Sequence, residues 1–120
     1  MDNNKLEHSF GYAFEGIAHA FKENRNIRIH SVLGFLAIVM ALLLHLVYLD
    51  FLMILLVTIL VIAAEMINTS IEEMTDLITT EHRKEAKIAK DVAAGMVLIT
   101  AFGALVVGVV IFLPYIIKLI

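Results

Sequence analysis

The chain has 120 residues, of which 61% are hydrophobic, with one Pro, no Cys and a mean hydropathy of +0.92. A soluble domain of this size has too little interior to hide so much apolar surface, so lipid is the expected solvent for the excess. The missing Cys excludes disulfides, thiolate metal sites and a cysteine nucleophile, while a formal charge of −3 with no basic tract argues against a nucleic-acid partner.

The first element in chain order is "SFGYAFEGIAHAF", Ser9 to Phe21. Phe10, Phe14, Ile17 and Phe21 recur at helical spacing on one side; Tyr12, Glu15, His19 and Lys22 fall on the other. This pattern predicts an amphipathic helix over 9–24, lying along a membrane surface or packed on other helices. Charges scattered through this region leave no uninterrupted apolar core, so no secretory leader is expected. "SVLGFLAIVMALLLHLVYL", Ser31 to Leu49, is nineteen residues without a formal charge, about the length that crosses a bilayer. It predicts a first span over 29–49, joined through a tight "YLD" connection to a second over 51–78. His45, late in the first span, reads as a helix-contact residue. The third span is predicted over 88–117. Here Gly95, beside Ala93 and Ala94, permits close helix approach, and Ala101, Ala104 and Gly108 form a second small-residue strip.

Eight of the nine Lys/Arg residues lie before the first span or between the second and third; only Lys118 lies beyond the third. The positive-inside rule then makes the N-terminus and the 79–91 segment cytoplasmic and the C-terminus external.

The second span carries the unusual chemistry. "FLMILLVTILVI" has no charge, yet it continues into "AAEMINTSIEEMTDLI" with no Pro or Gly between. At about 100° per residue, Glu65, Glu72 and Asp76 fall within about 40° of one another, with Asn68 at the edge of the stripe and Thr69 near it. Glu65 lies roughly 22 Å along the helix from Asp50, inside the apolar slab, whereas Glu72, at about 33 Å, reaches the interface. An unpartnered carboxylate at the depth of Glu65 costs about 2.5 kcal/mol or more. A frayed helix end accounts for Glu73, Asp76 and Glu81 but poorly for Glu65. A hydrated pocket between helices accounts for it better. Hard oxygen ligands without Cys point to Mg²⁺ rather than Zn²⁺. Lys90, at the start of the third span, either offers a cation to phosphate or is a snorkelling lysine. Asp91 suits the first turn of a helix. His19, His30, His45 and His82 are too dispersed for a metal motif, and no Walker loop is present.

"EMINTSIEEMTD" followed by "AKDVAAGMVL" resembles the signature of the small bacterial membrane lipid kinases, the diacylglycerol kinase and undecaprenol kinase family. The resemblance extends over essentially the whole chain. It implies an all-α homotrimer of three-span subunits with a surface helix in the bacterial inner membrane, transferring the γ-phosphoryl of Mg-ATP to a lipid alcohol. By position, Glu65 resembles the general base, Asn68 a residue of the phosphate region, Glu72 the metal carboxylate, and Asp76 the close of the motif. Lys90, Asp91, Tyr12 and the Glu81, His82, Arg83 loop resemble nucleotide contacts. In many members the entry to the first span reads E-x-N-x-[RKQ]-x-H, where the first Glu is a second metal carboxylate. Asn24 stands there in this chain, with Glu23 beside it as a substitute. Undecaprenol is the preferred acceptor, diacylglycerol the alternative. Two readings from other classes compete: a proton- or cation-conducting protein using the Glu65–Asp76 stripe, and an assembly protein whose polar face only joins helices.

Overall fold

The computed structural model describes residues 3–120. Helices α1 (Asn3–Glu23), α2 (Arg25–Leu43), α3 (Tyr48–Ile78) and α4 (Lys84–Leu119) account for nearly all of them, with no strand among the described residues. The protein is an all-α integral membrane protein, and α2, α3 and α4 are each long and apolar enough to cross a bilayer. α3 is the central element, packing against α2 and α4, while α1 touches α2 and α3 near its own C-terminal end.

Without Gly or Pro, Asn24 and Arg28 break the chain between α1 and α2. Asn24 is the N-cap of α2, its side chain accepting from the backbone N–H of Asn26 and Ile27. Arg28 turns back and donates to the carbonyls of Phe21 and Lys22 at 2.6 and 2.9 Å, satisfying the last turn of α1. α1 begins at Asn3, six residues before the predicted start. Its apolar stripe of Phe10, Phe14 and Ile17 is exposed and is not covered within the chain.

The first span needs correction. It runs Arg25–Leu43 rather than 29–49, and the connection is Leu44 to Val47 rather than "YLD", so α3 starts at Tyr48. The cap at Asn24 sets the start, and nineteen residues at about 1.5 Å each already cover the apolar slab. A Schellman turn then closes the helix. Leu46 N–H donates to the Ala41 carbonyl and His45 N–H to the Leu42 carbonyl, with His45 at φ 54°. His45 is therefore an exposed turn residue, not a helix contact. On the same side of the molecule, Tyr115 of α4 fastens the turn: its hydroxyl accepts from Val47 N–H at 3.1 Å and donates to Asp50 at 2.8 Å.

The close approach between helices lies at Gly34, where a Cβ would collide with Thr58 Cγ2, so α2 sits directly on α3. Gly95 does not play that part: a Cβ there meets nothing within 4 Å. Ala101, Ala104 and Gly108 instead line an apolar groove of about 600 Å³ that runs between α2 and α4 across α3. α4 is longer than predicted, starting at Lys84, and only Ala93 along it is buried.

Candidate functional site

Glu65 is one of the three largest fully buried side chains, beside Ile27 and Ile54, at 0% exposure. It sits on α3 where α2 begins, and the α2 cap reaches across to it. Asn24 Nδ2 donates to Glu65 Oε2 at 3.1 Å and to Thr69 Oγ1 at 2.8 Å. Thr69 in turn donates to the backbone carbonyl of Glu65 at 3.0 Å, which holds the turn of α3 and its hydroxyl in place. The second oxygen is held differently. Oε1 is buried without an aligned donor, and His30 Nε2 of α2 stands 3.4 Å away. One oxygen of the carboxylate is therefore clamped, and the other is buried with no hydrogen-bond partner.

Asn24 and Thr69 also form the inner wall of a polar pocket of about 300 Å³. Its other lining includes Glu23, Asn68, Glu72, Glu73 and Asp76, so the predicted stripe does converge with the start of α2. Glu65 itself is not on that wall; Asn24 and Thr69 separate it from the pocket. Asn68 Nδ2 donates to Glu72 Oε1 at 3.4 Å, while its Oδ1 is buried with no partner. Asn24 has its carbonyl oxygen engaged in the α2 cap, so a metal contact through that atom competes with the cap. Glu23 is exposed at the pocket rim.

A second polar pocket, about 790 Å³, opens between the end of α3 and the start of α4. Glu81, His82, Arg83, Lys90 and Asp91 all line it, together with Thr75, Thr79 and Lys87. Lys90 Nζ binds Asp76 Oδ1 at 2.6 Å, and Asp76 lines both pockets, so this ion pair is the seam between them. Asp91 pairs with Lys87 at 2.6 Å and Glu81 with Arg83 at 3.4 Å. A continuous path of polar groups thus runs from Glu65 through Asn24 and Thr69, past Glu72 and Asp76, to Lys90. Tyr12 lies apart, 69% exposed on α1, and lines neither pocket. His19 of the same helix reaches Glu73 at 3.2 Å and ties α1 to α3 beside the smaller pocket.

Sequence reasoning weighed His30 only as a metal ligand and as the close of the span-entry motif, and gave Thr69 no role. Their contacts form between helices, across sequence separations of 35 and 45 residues from Glu65 and Asn24 respectively, where no local spacing marks them. The structure also bears on ion conduction. Between Asp50 and Glu65 the side chains of α3 are apolar except for Thr58, which donates to its own helix at Ile54. No polar face on α3 continues through the slab.

Fold and site together define a class: an all-α integral membrane protein with a buried, clamped carboxylate at the end of its helix bundle, beside two polar pockets. The comparisons with known proteins narrow it. The sequence model of the family described as Prokaryotic diacylglycerol kinase matches residues 11–112, and the chain belongs to that family. It is 42% identical over 112 residues to a diacylglycerol kinase of Synechocystis, an alignment covering 92% of this chain and 64% of that protein. It is 34% identical over 111 residues to an undecaprenol kinase of Bacillus subtilis, covering 92% of this chain and 90% of that protein. The chain thus spans just under two thirds of the first relative and most of the second. Both relatives are named as kinases, in agreement with the expectation of a phosphotransferase acting on an alcohol group.

Proposed function

We propose that the chain is an ATP-dependent lipid kinase that transfers the γ-phosphoryl group to a membrane lipid alcohol, with Glu65 as general base. The observation that carries this reading is the state of Glu65: fully buried, one oxygen fixed by Asn24 and the other without an aligned donor. A carboxylate with a lone pair to spare, at hydrocarbon depth, is suited to take the proton of an alcohol arriving sideways from the bilayer. The alcohol O–H bond breaks, the proton passes to Glu65 Oε1, and the oxygen bonds to the γ-phosphorus as the bond to the β-phosphate oxygen breaks and ADP leaves. Such a transfer rests on positioning and charge neutralisation rather than on covalent catalysis.

The smaller pocket fits Mg²⁺. Its lining is mostly of hard oxygen donors, four of them carboxylates against the single cation Arg25, and the buried Asn68 Oδ1 lacks a partner. Among the described residues no three His, Cys, Asp or Glu side chains gather as a self-sufficient metal site. Mg²⁺ does not need one, since it keeps several waters and shares phosphate oxygens with one or two carboxylates. Glu72 would hold it, with Glu23 the neighbouring carboxylate and Asn24 a contact only at the expense of the cap. When bound, Mg²⁺ neutralises charge on the phosphates. Lys90, released from Asp76, adds a cation. Asn68, Glu81, His82, Arg83 and Asp91 border the nucleotide. Tyr12, remote from both pockets within one subunit, would meet nucleotide only across a subunit boundary. The exposed face of α4, along which only Ala93 is buried, supports the homotrimer that the family resemblance implies. The N-terminus and the pockets face the cytoplasm, and the C-terminus faces outward.

Undecaprenol is the preferred acceptor. The near-complete coverage of the undecaprenol kinase relative supports it, while the higher identity to the diacylglycerol kinase relative supports diacylglycerol. Competition between the two lipids in mixed micelles with radiolabelled ATP and Mg²⁺ tests the choice. Label is expected chiefly in undecaprenyl phosphate; label chiefly in phosphatidic acid overturns the acceptor, and label in neither overturns the kinase.

A further inference from the structure

Glu65 Oε1 has no aligned donor in a site where every other polar contact of the carboxylate is made. Its neighbour His30 is partly buried, at 26% side-chain exposure, and belongs both to this pair and to the wall of the apolar groove. The groove continues from His30 along Leu33, Gly34 and Ala37 of α2, against Val61 of α3 and Ala104 of α4. Among the described residues His30 and Thr58 are the polar side chains on the groove wall, and His30 is the one that also stands beside the buried carboxylate.

We infer that His30 is the positioning residue of Glu65, an assignment that rests on the kinase reading above. With its proton on Nε2, the imidazole donates toward Oε1. Asn24 holds Oε2 from the opposite side. Two donors on two different oxygens fix the carboxylate plane, which a single clamp leaves free to turn about its last bond. The imidazole nitrogen stands 3.4 Å from Oε1 without forming an aligned bond in the absence of substrate. Oε1 has two lone pairs, enough to accept from the imidazole and from the lipid hydroxyl at once. Such contacts tighten when the substrate is bound. The ring further closes the head of the groove, so that a hydroxyl entering with its chain along the apolar wall meets His30 and Glu65 together.

The test uses the full-length protein in micelles with undecaprenol and diacylglycerol as acceptors, and three variants: His30→Ala, His30→Phe and His30→Gln. Phe fills the space without a donor, and Gln supplies an amide N–H at a similar reach. A hydrogen bond to a charged group corresponds to about 10- to 100-fold in rate. The expected result is that Ala and Phe lower kcat by about that factor while KM for ATP stays within about 2-fold, and that Gln restores kcat to within a few-fold of wild type. Equal kcat in wild type and His30→Phe overturns the inference, as does a loss in Gln as deep as in Phe. Parallel thermal unfolding separates misfolding from the kinetic effect: a variant that loses rate only as it loses folded protein counts against a positioning role. An active wild type with insensitive variants overturns His30 alone; an inactive wild type with either lipid overturns the kinase reading as well.

Discussion

Replacing Asn24 by Ala removes the cap of α2 and the donor to Glu65 in one step. The cap makes two backbone bonds, to Asn26 and Ile27, and its loss costs about 1 kcal/mol. The second contribution needs more care. Hydrogen bonds to charged groups contribute about 1.5–3 kcal/mol in soluble proteins. Interhelical bonds in membranes average only about 0.6 kcal/mol, with an upper end near 1.7, because the unfolded chain in lipid finds other partners. The carboxylate is at 0% exposure and its Oε2 bond is 3.1 Å, which moves this bond to the upper end, about 1.5 kcal/mol. Asn24→Ala is therefore expected to lower stability by about 2.5 kcal/mol. A double-mutant cycle with Glu65→Ala isolates the bond, since the cap contribution cancels. Reversible unfolding in mixed detergent micelles, followed by circular dichroism, should give a coupling of about 1.5 kcal/mol. A coupling under about 0.3 kcal/mol, or an Asn24→Ala variant within about 0.5 kcal/mol of wild type, refutes the clamp.

Three further outcomes follow from other parts of the molecule. Gly34→Ala drives a methyl into Thr58 Cγ2 and should destabilise by about 1–2 kcal/mol in the same unfolding assay, with Thr58→Ala restoring most of the loss. Tyr115→Phe loses two hydrogen bonds at the outer turn and should lower stability by about 1–2 kcal/mol while kcat is unchanged, because the turn lies at the opposite end of α3 from the pockets. Glu72→Gln removes a carboxylate from the smaller pocket and should raise the Mg²⁺ concentration for half-maximal transfer about 10-fold or more, read from a magnesium titration.

The central helix was legible because its polar residues recur with the helical period. That period put Glu65, Glu72 and Asp76 on one stripe, and depth arithmetic set Glu65 apart from its neighbours. The structure separates them by one more feature, the Asn24–Thr69 bridge, which covers Glu65 and leaves Asn68, Glu72 and Asp76 on the pocket wall. The first span was misread for a physical reason. The apolar run from Ser31 to Leu49 has no Gly or Pro at its true end, and His45 takes the left-handed turn position usually held by Gly. At the other end Arg25 and Arg28 look like flanking charges, yet both belong to the helix, with Arg28 turned back to cap α1. Asn24 attracted notice as a departure from a metal carboxylate; its work as a cap and clamp was hidden, because an N-cap next to a preceding helix has no loop to announce it. His30 was in view at the close of the span-entry motif, but its contact with Glu65 was not. Its partner lies 35 residues away on another helix, and only packing brings them together.

Phosphoryl transfer by Glu65→Gln, measured beside ATP binding by the same preparation, tests the role of the buried carboxylate most directly. The amide keeps the shape and can still accept from Asn24, so the site should stay folded and bind nucleotide. Removing a general base should lower transfer to the lipid alcohol by about 10²- to 10⁴-fold. Transfer within about 3-fold of wild type, with ATP bound equally well, contradicts the assignment of Glu65 as the base.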